Sequence, residues 1–193
     1  METFGREAGW IEVICGPMFS GKTEELIRRL RRAVIARQRV QVFKPDIDRR
    51  YHDRRITSHS ALSLEALPVT DARELLARVG ADTQVVGIDE AQFLGLELLP
   101  VVQHLADRGL RVLLAGLDQD YLGRPFEPVP QLLAVAESIT KCSAICTRCG
   151  ASASRSYRLS AASERVSVGA QEAYEARCRR CCNGAHPAAD NAA

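Results

Sequence analysis

Eight residues, Gly16-Pro17-Met18-Phe19-Ser20-Gly21-Lys22-Thr23, follow the spacing G-x-x-x-x-G-K-[ST]. Each fixed position answers a need of phosphate chemistry. The glycines let the backbone curl until several N–H groups converge on one phosphate. Lys22 is placed to reach the outer phosphates of a nucleoside triphosphate, and the Thr23 hydroxyl to ligate Mg²⁺. The plainer alternative is a glycine turn that happens to precede Lys-Thr. Farther along, Asp89 and Glu90 close an apolar run. In phosphate-loop proteins a Mg²⁺-positioning aspartate belongs at such a strand end, and Asp89 takes that role. Adjacent strand residues face opposite sides, which leaves Glu90 for another partner, such as a substrate hydroxyl. The plainer reading of both acids is an exposed carboxylate at a strand end.

A second constellation lies near the C-terminus. Cys146-Thr147-Arg148-Cys149 and Cys178-Arg179-Arg180-Cys181 are two C-x-x-C pairs. Four thiolates are the tetrahedral set of structural Zn²⁺, and a shell closed by four protein ligands points to a structural rather than a catalytic metal. The long spacing between the pairs requires a protruding loop. Cys182 competes with Cys181, and buried thiols or a redox pair are the alternatives. Cys15 and Cys142 sit on apolar segments and read as core. His52, His59, His104 and His186 read as loop or surface residues. Between the two constellations, Asp118 to Phe126 offers Tyr121 and Phe126 either as walls for a flat ring or as anchors of a surface turn.

These groups need a scaffold. Trp10 to Cys15, Val40 to Phe43, Val85 to Ile88 and Leu110 to Ala115 are short apolar runs that read as buried strands. Helical periods follow Lys22 (Leu26, Ile27, Leu30, Ala33, Val34), span about Leu96 to Asp107 with Gly109 as the stop, and recur around Leu132 to Ile139. Asp46 to Ser60 is arginine-rich and without period, and reads as a loop. Alternation of strands and helices predicts an α/β fold with a parallel sheet covered on both faces. The expected organisation is a phosphate-loop domain over 1–141, a small zinc-binding lid domain over 142–182 and a disordered tail over 183–193. A unit as small as the second needs a staple.

Composition narrows the class. The 193 residues are 46% hydrophobic and 26% charged, which suits a packed core rather than disorder. A net charge of +2 points to neither nucleic acid nor an acidic membrane. No apolar run reaches the roughly 18 residues of a membrane span. Met1 to Gly9 carries no signal-like apolar segment, so a cytoplasmic, reducing location is expected, in which paired cysteines favour metal. Arg28, Arg29, Arg31, Arg32, Arg37 and Arg39 support one rival reading, a zinc-ribbon nucleic-acid-dependent ATPase. Their plainer role is a solvated helix face beside Glu24 and Glu25. A non-catalytic module on a degenerate nucleotide switch is the other rival, opposed by the intact Lys22, Thr23, Asp89 and Glu90.

Taken in order, several pieces resemble one family. They are Gly-Pro-Met-Phe-Ser-Gly-Lys-Thr at 16–23, Asp-Glu-Ala-Gln-Phe at 89–93, Gly-Leu-Asp at 116–118, Arg-Pro-Phe at 124–126, Cys-x-x-Cys at 146–149, and Tyr174 four residues before Cys178. From about Gly9 to Cys182 the chain resembles the cytosolic-type (type II) thymidine kinases. The resemblance implies transfer of the ATP γ-phosphoryl group to the 5′-hydroxyl of thymidine, and of deoxyuridine. It implies Glu90 as catalytic base, Thr23 and Asp89 on the Mg²⁺ side, and Ala91 and Gln92 beside them in the nucleotide site. Met18, Phe93, Leu117, Tyr121 and Phe126 become walls of the base pocket. Arg165, Val166, Ser167, Val168 and Gly169 become the loop that covers the nucleoside, and Tyr174 the aromatic that closes over it. A homotetramer, feedback by dTTP, and no nucleic-acid or membrane partner are also implied. The departures are Leu94 for a second aromatic, Ala170 for a glycine, the hydroxyl of Tyr121, and Ser60-Ala61 after His59.

Overall fold

A computed structural model describes residues 8–46, 55–57, 63–159 and 173–184, with backbone alone at 55–57 and 63. Its centre is a sheet of six parallel strands in the order β5-β2-β6-β7-β1-β8. The strands are β1 (Trp10–Cys15), β2 (Val40–Pro45), β5 (Leu67–Val69), β6 (Val85–Ile88), β7 (Arg111–Gly116) and β8 (Ser138–Lys141). Between β2 and β5 the short strands β3 (Arg55–Thr57) and β4 (Ser63–Glu65) pair antiparallel.

Strand alternation sorts the core onto two faces. On one face Ile14, Leu113, Ala115 and Val85 meet helix α1 (Lys22–Ile35) through Leu26, Ile27, Leu30 and Ala33. The packing is close: a Cβ on Gly87 would lie 2.7 Å from a Leu30 methyl. On the other face Ile11, Val13, Val86, Ile88, Val112 and Leu114 meet three helices. These are α2 (Ala72–Arg78), α3 (Leu98–Asp107) and α4 (Val129–Val135).

One polar group interrupts the α1 face. Glu12, 6% exposed on β1, accepts from Trp10 Nε1, Arg111 Nε and an Arg29 amino group, each at 2.7 Å. Arg29 also reaches Glu25 at 2.7 Å and Thr140 at 2.8 Å. The network ties α1 to three neighbouring strands. Burial raises the Glu12 carboxyl, but the hydrogen bonds and charges of Arg111, Trp10 and Arg29 outweigh it and hold the group below the usual carboxylate range.

The four strands read from apolar runs and the helices α1 and α3 lie where their periods predict, and the fold is α/β as expected. Elsewhere the structure differs. The helix expected to reach Ile139 ends at Val135; Ala136 is extended, and Ser138 to Lys141 pair with β1 as an edge strand. Short, half-exposed β5 and β8 carry too little apolar sequence to announce themselves. Val34, expected on the apolar stripe, is 52% exposed. Asp46 to Ser60 is not wholly loop, since Arg55–Thr57 is a strand. Helix α2 has no counterpart in the sequence-read elements, and it starts on a side-chain cap: Asp71 accepts from Glu74 N–H at 2.8 Å, and Glu74 accepts from Thr70 N–H at 2.7 Å. His52, His59, Ser60, Ala61, Ala170 and His186 lie outside the described residues.

After β8 the chain builds a smaller cluster. Strands β9 (Ala144–Ile145) and β10 (Ser152–Ala153) pair, as do β11 (Arg155–Arg158) and β12 (Tyr174–Arg177). Helix α5 (Arg179–Cys182) follows. Ala144, Cys146, Ala153, Ala176 and Cys181 form its compact core.

Candidate functional site

The phosphate loop joins β1 to α1 at the C-terminal edge of the parallel sheet, where such folds open their clefts. Gly16 cannot be replaced freely: a Cβ there would lie 2.4 Å from the Cys142 carbonyl. Ser20 Oγ donates to the Pro17 carbonyl at 2.8 Å, and Lys22 Nζ donates to the same oxygen at 2.7 Å. Helix α1 then presents its free N–H groups and positive dipole end to the loop. Desolvation pulls the Lys22 ammonium below its usual range, against the attraction of Glu90 and Asp89.

Asp89 and Glu90 follow β6, and they take different partners. Strand β6 stops at Ile88, so strand alternation does not separate them. Glu90 has φ 51°, a left-handed conformation that costs a non-glycine residue about 1–2 kcal/mol. Asp89, 7% exposed, accepts the Thr23 hydroxyl at 3.2 Å. Glu90 instead accepts from Gln92 Nε2 at 2.5 Å. Gln92 is 3% exposed, and its other end accepts Leu117 N–H at 3.0 Å. It therefore braces Glu90 against the end of β7. Ala91 is buried beside it. Burial and the neighbouring Glu90 charge push the Asp89 carboxyl up to about 7, against the Glu90 N–H, Lys22 and Thr23.

The ring residues gather on the same edge. Phe93 and Phe126 meet edge to face at 5.8 Å between centroids. Leu117, Tyr121 and Met18 are half-buried around the loop ends. The cysteine unit touches this edge directly: Met18 N–H donates to Ser156 Oγ at 3.0 Å, and Arg155 donates to the Gly123 carbonyl at 3.2 Å. Tyr174 begins β12. Arg165, Val166, Ser167, Val168 and Gly169 lie outside the described residues.

The four paired cysteines converge. The Sγ atoms of Cys146, Cys149, Cys178 and Cys181 lie within 4.8 Å of one another. Cys149 is 3.7 Å from Cys178 and 3.6 Å from Cys181. A tetrahedron with Zn–S bonds of about 2.3 Å has S–S edges of about 3.8 Å, so the donor set and its size fit that ion. Cys182 is outside the cluster. Cys15 is buried, whereas Cys142 is only half-buried.

The thymidine kinase family model matches residues 9–182, which is nearly the whole chain. The chain belongs to the thymidine kinase family. It is 56% identical over 172 residues to a thymidine kinase of Bdellovibrio bacteriovorus, covering 89% of this chain and 84% of the other. It is 58% identical over 177 residues to a thymidine kinase of a Rhodothermus species, covering 92% and 83%.

Within this thymidine kinase family chain, several site-edge residues escaped the sequence reading. Lys141 binds Asp118 at 2.8 Å across the end of β1, and the other Asp118 oxygen is buried with no hydrogen bond among the described residues. Ser156 and Arg158 also reach the site edge. Their only trace in the sequence is period-two alternation in a segment too short to register. Of the six arginines of the rival nucleic-acid reading, Arg28 and Arg29 pair with Glu25 and Arg39 with Asp82.

Proposed function

We propose that this chain transfers the γ-phosphoryl group of ATP to the 5′-hydroxyl of thymidine, giving dTMP, and accepts deoxyuridine as well. The observation that carries the proposal is the separate partnering of the carboxylate pair, Asp89 with Thr23 of the phosphate loop and Glu90 with Gln92. Family membership supports thymidine as the acceptor.

In the proposed reaction Glu90 accepts the 5′-hydroxyl proton as the oxygen attacks the γ-phosphorus in line. Gln92 orients Glu90 for that transfer. Free backbone N–H groups of the 16–23 loop, after Pro17 and Met18, and the Lys22 ammonium bind the triphosphate and offset charge on the moving phosphoryl group. Thr23 and Asp89, paired hard oxygens, would hold Mg²⁺, which when bound neutralises phosphate charge. Met18, Phe93, Leu117, Tyr121 and Phe126 wall the base. Arg165 to Gly169 cover it through backbone groups, and Tyr174 closes over the nucleoside. Zn²⁺ on the four cysteines staples the unit that carries that cover, and the closed cover excludes water from ATP.

The same reading includes a division at 141/142, with a tail from 183. It also includes a homotetramer, inhibition by dTTP and a cytoplasmic location. Among the described residues no helix is long and apolar enough to cross a membrane. A screen of the nucleosides with ATP and Mg²⁺ tests the reading. Phosphorylation of thymidine above purine nucleosides is expected. ATP hydrolysis stimulated by DNA or RNA, without nucleoside phosphorylation, would replace it with the zinc-ribbon ATPase.

A further inference from the structure

Arg158 occupies a position that the proposed reaction does not yet use. It lies on β11, where Ser156 and Arg158 share the buried face and Arg155 and Tyr157 do not. Ser156 touches the phosphate loop at Met18 N–H. Two residues on, the Arg158 guanidinium stacks over the Tyr121 ring with Cζ 3.9 Å from its centroid. Arg158 also donates twice to the Tyr174 hydroxyl, from Nε at 3.0 Å and from an amino group at 2.5 Å. The side chain is 8% exposed. One buried, planar cation thus joins an aromatic on the loop after β7 to an aromatic on β12.

We infer that Arg158 is a positioning residue for nucleoside binding, locking Tyr121 and Tyr174 into one rigid wall. The inference rests on the proposed function, because Tyr121 and Tyr174 border the nucleoside only in that reading. Guanidinium suits the role for physical reasons. Its flat face matches the Tyr121 ring, while its edge supplies two donors to one hydroxyl. An ammonium can do one or the other. Through these contacts the loop before Phe126 and the strand that follows the proposed cover move together. Neither tyrosine then loses side-chain freedom when the nucleoside binds, which favours affinity rather than the chemical step.

Steady-state kinetics on the full-length, zinc-loaded protein test this. Arg158→Met is expected to raise KM for thymidine about tenfold or more, with KM for ATP and kcat changed less than about threefold. Arg158→Lys keeps the charge but not the fork, and is expected to recover part of the loss. Tyr174→Phe keeps the ring and removes only the acceptor. It is expected to raise KM for thymidine by itself and to add little to Arg158→Met, since that variant already removes the hydrogen bonds to the Tyr174 hydroxyl. An unchanged KM for thymidine in Arg158→Met overturns the inference. So does equal damage toward both substrates with loss of bound zinc, which is the signature of a purely structural residue. Should Arg158→Met not fold, Tyr174→Phe decides alone: a wild-type KM overturns the inference. A wild-type protein that phosphorylates no thymidine overturns the proposed function itself. An active wild type with insensitive variants overturns only the role of Arg158.

Discussion

Glu90 sits in a backbone conformation that its own side chain disfavours, and the surrounding contacts hold it there. Glu90 N–H donates to the Asp89 carboxylate at 3.0 Å, and its own carboxylate is gripped by Gln92. Strain retained at one residue beside a phosphate loop is typical of a position that the surrounding structure fixes for function. Glu90→Gln keeps the shape and removes the basicity. It is expected to fold and bind ATP normally while turnover falls by about 10²–10⁴-fold. Thermal melts, ATP titration and single-turnover rates check all three, and near-normal turnover would remove Glu90 as the base. Gln92→Leu leaves the carboxylate present but unbraced, with Leu117 N–H unpaired. A fall in kcat larger than any change in KM for ATP is expected, and an unchanged kcat would show that Glu90 needs no brace.

At the scale of elements, Glu12 is the polar pin of the α1 face. It joins β1 to α1 through Arg29 and to β7 through Arg111. Removing one member of a buried ionic network leaves the others uncompensated, so Glu12→Gln is expected to cost about 3 kcal/mol at pH 7. The pH dependence follows from the depressed Glu12 carboxyl. A lowered folded value means that the stabilisation is complete above the unfolded value near 4.5. It is lost as pH falls through the folded value. Denaturant melts of both proteins at pH 7 and near pH 3 check this: the gap between them should shrink in acid. A constant gap would mean that Glu12 acts by packing rather than by charge.

For the whole molecule, the question is how a small cysteine-rich unit serves a cleft on a separate sheet. Among the described residues its contacts to that edge include Ser156 to Met18, Arg155 to Gly123, Arg158 to Tyr121 and Cys142 N–H to the Cys15 carbonyl. Among the described residues its own core is five small residues, too little to hold a fold without help. Metal removal is therefore expected to unfold this unit while the six-stranded sheet, with its two large apolar faces, persists. Demetallated protein should retain ATP binding and lose thymidine binding, as read by calorimetry beside a metal assay. Unchanged thymidine binding in demonstrably metal-free protein would contradict the lid assignment.

Local chemistry is what the sequence determines by itself. The phosphate loop, the acidic pair and the cysteine pairs are legible because each depends on a few adjacent residues at fixed spacing. The four long strands and the helices α1 and α3 are legible because a buried face repeats in the sequence. Everything that depends on which segments become neighbours was left to the tertiary structure. Short edge strands such as β8 carry no period, and α4 ends where pairing with β1 begins to compete with it. Strand alternation does not separate Asp89 from Glu90, because β6 has already ended at Ile88 and Glu90 is left-handed, which spacing alone does not reveal. Glu12 could be seen as one acid in an apolar strand, yet only folding brings Arg29 and Arg111 to it. Arg158 meets Tyr121 across 37 positions of chain, a separation over which spacing carries no information and packing decides.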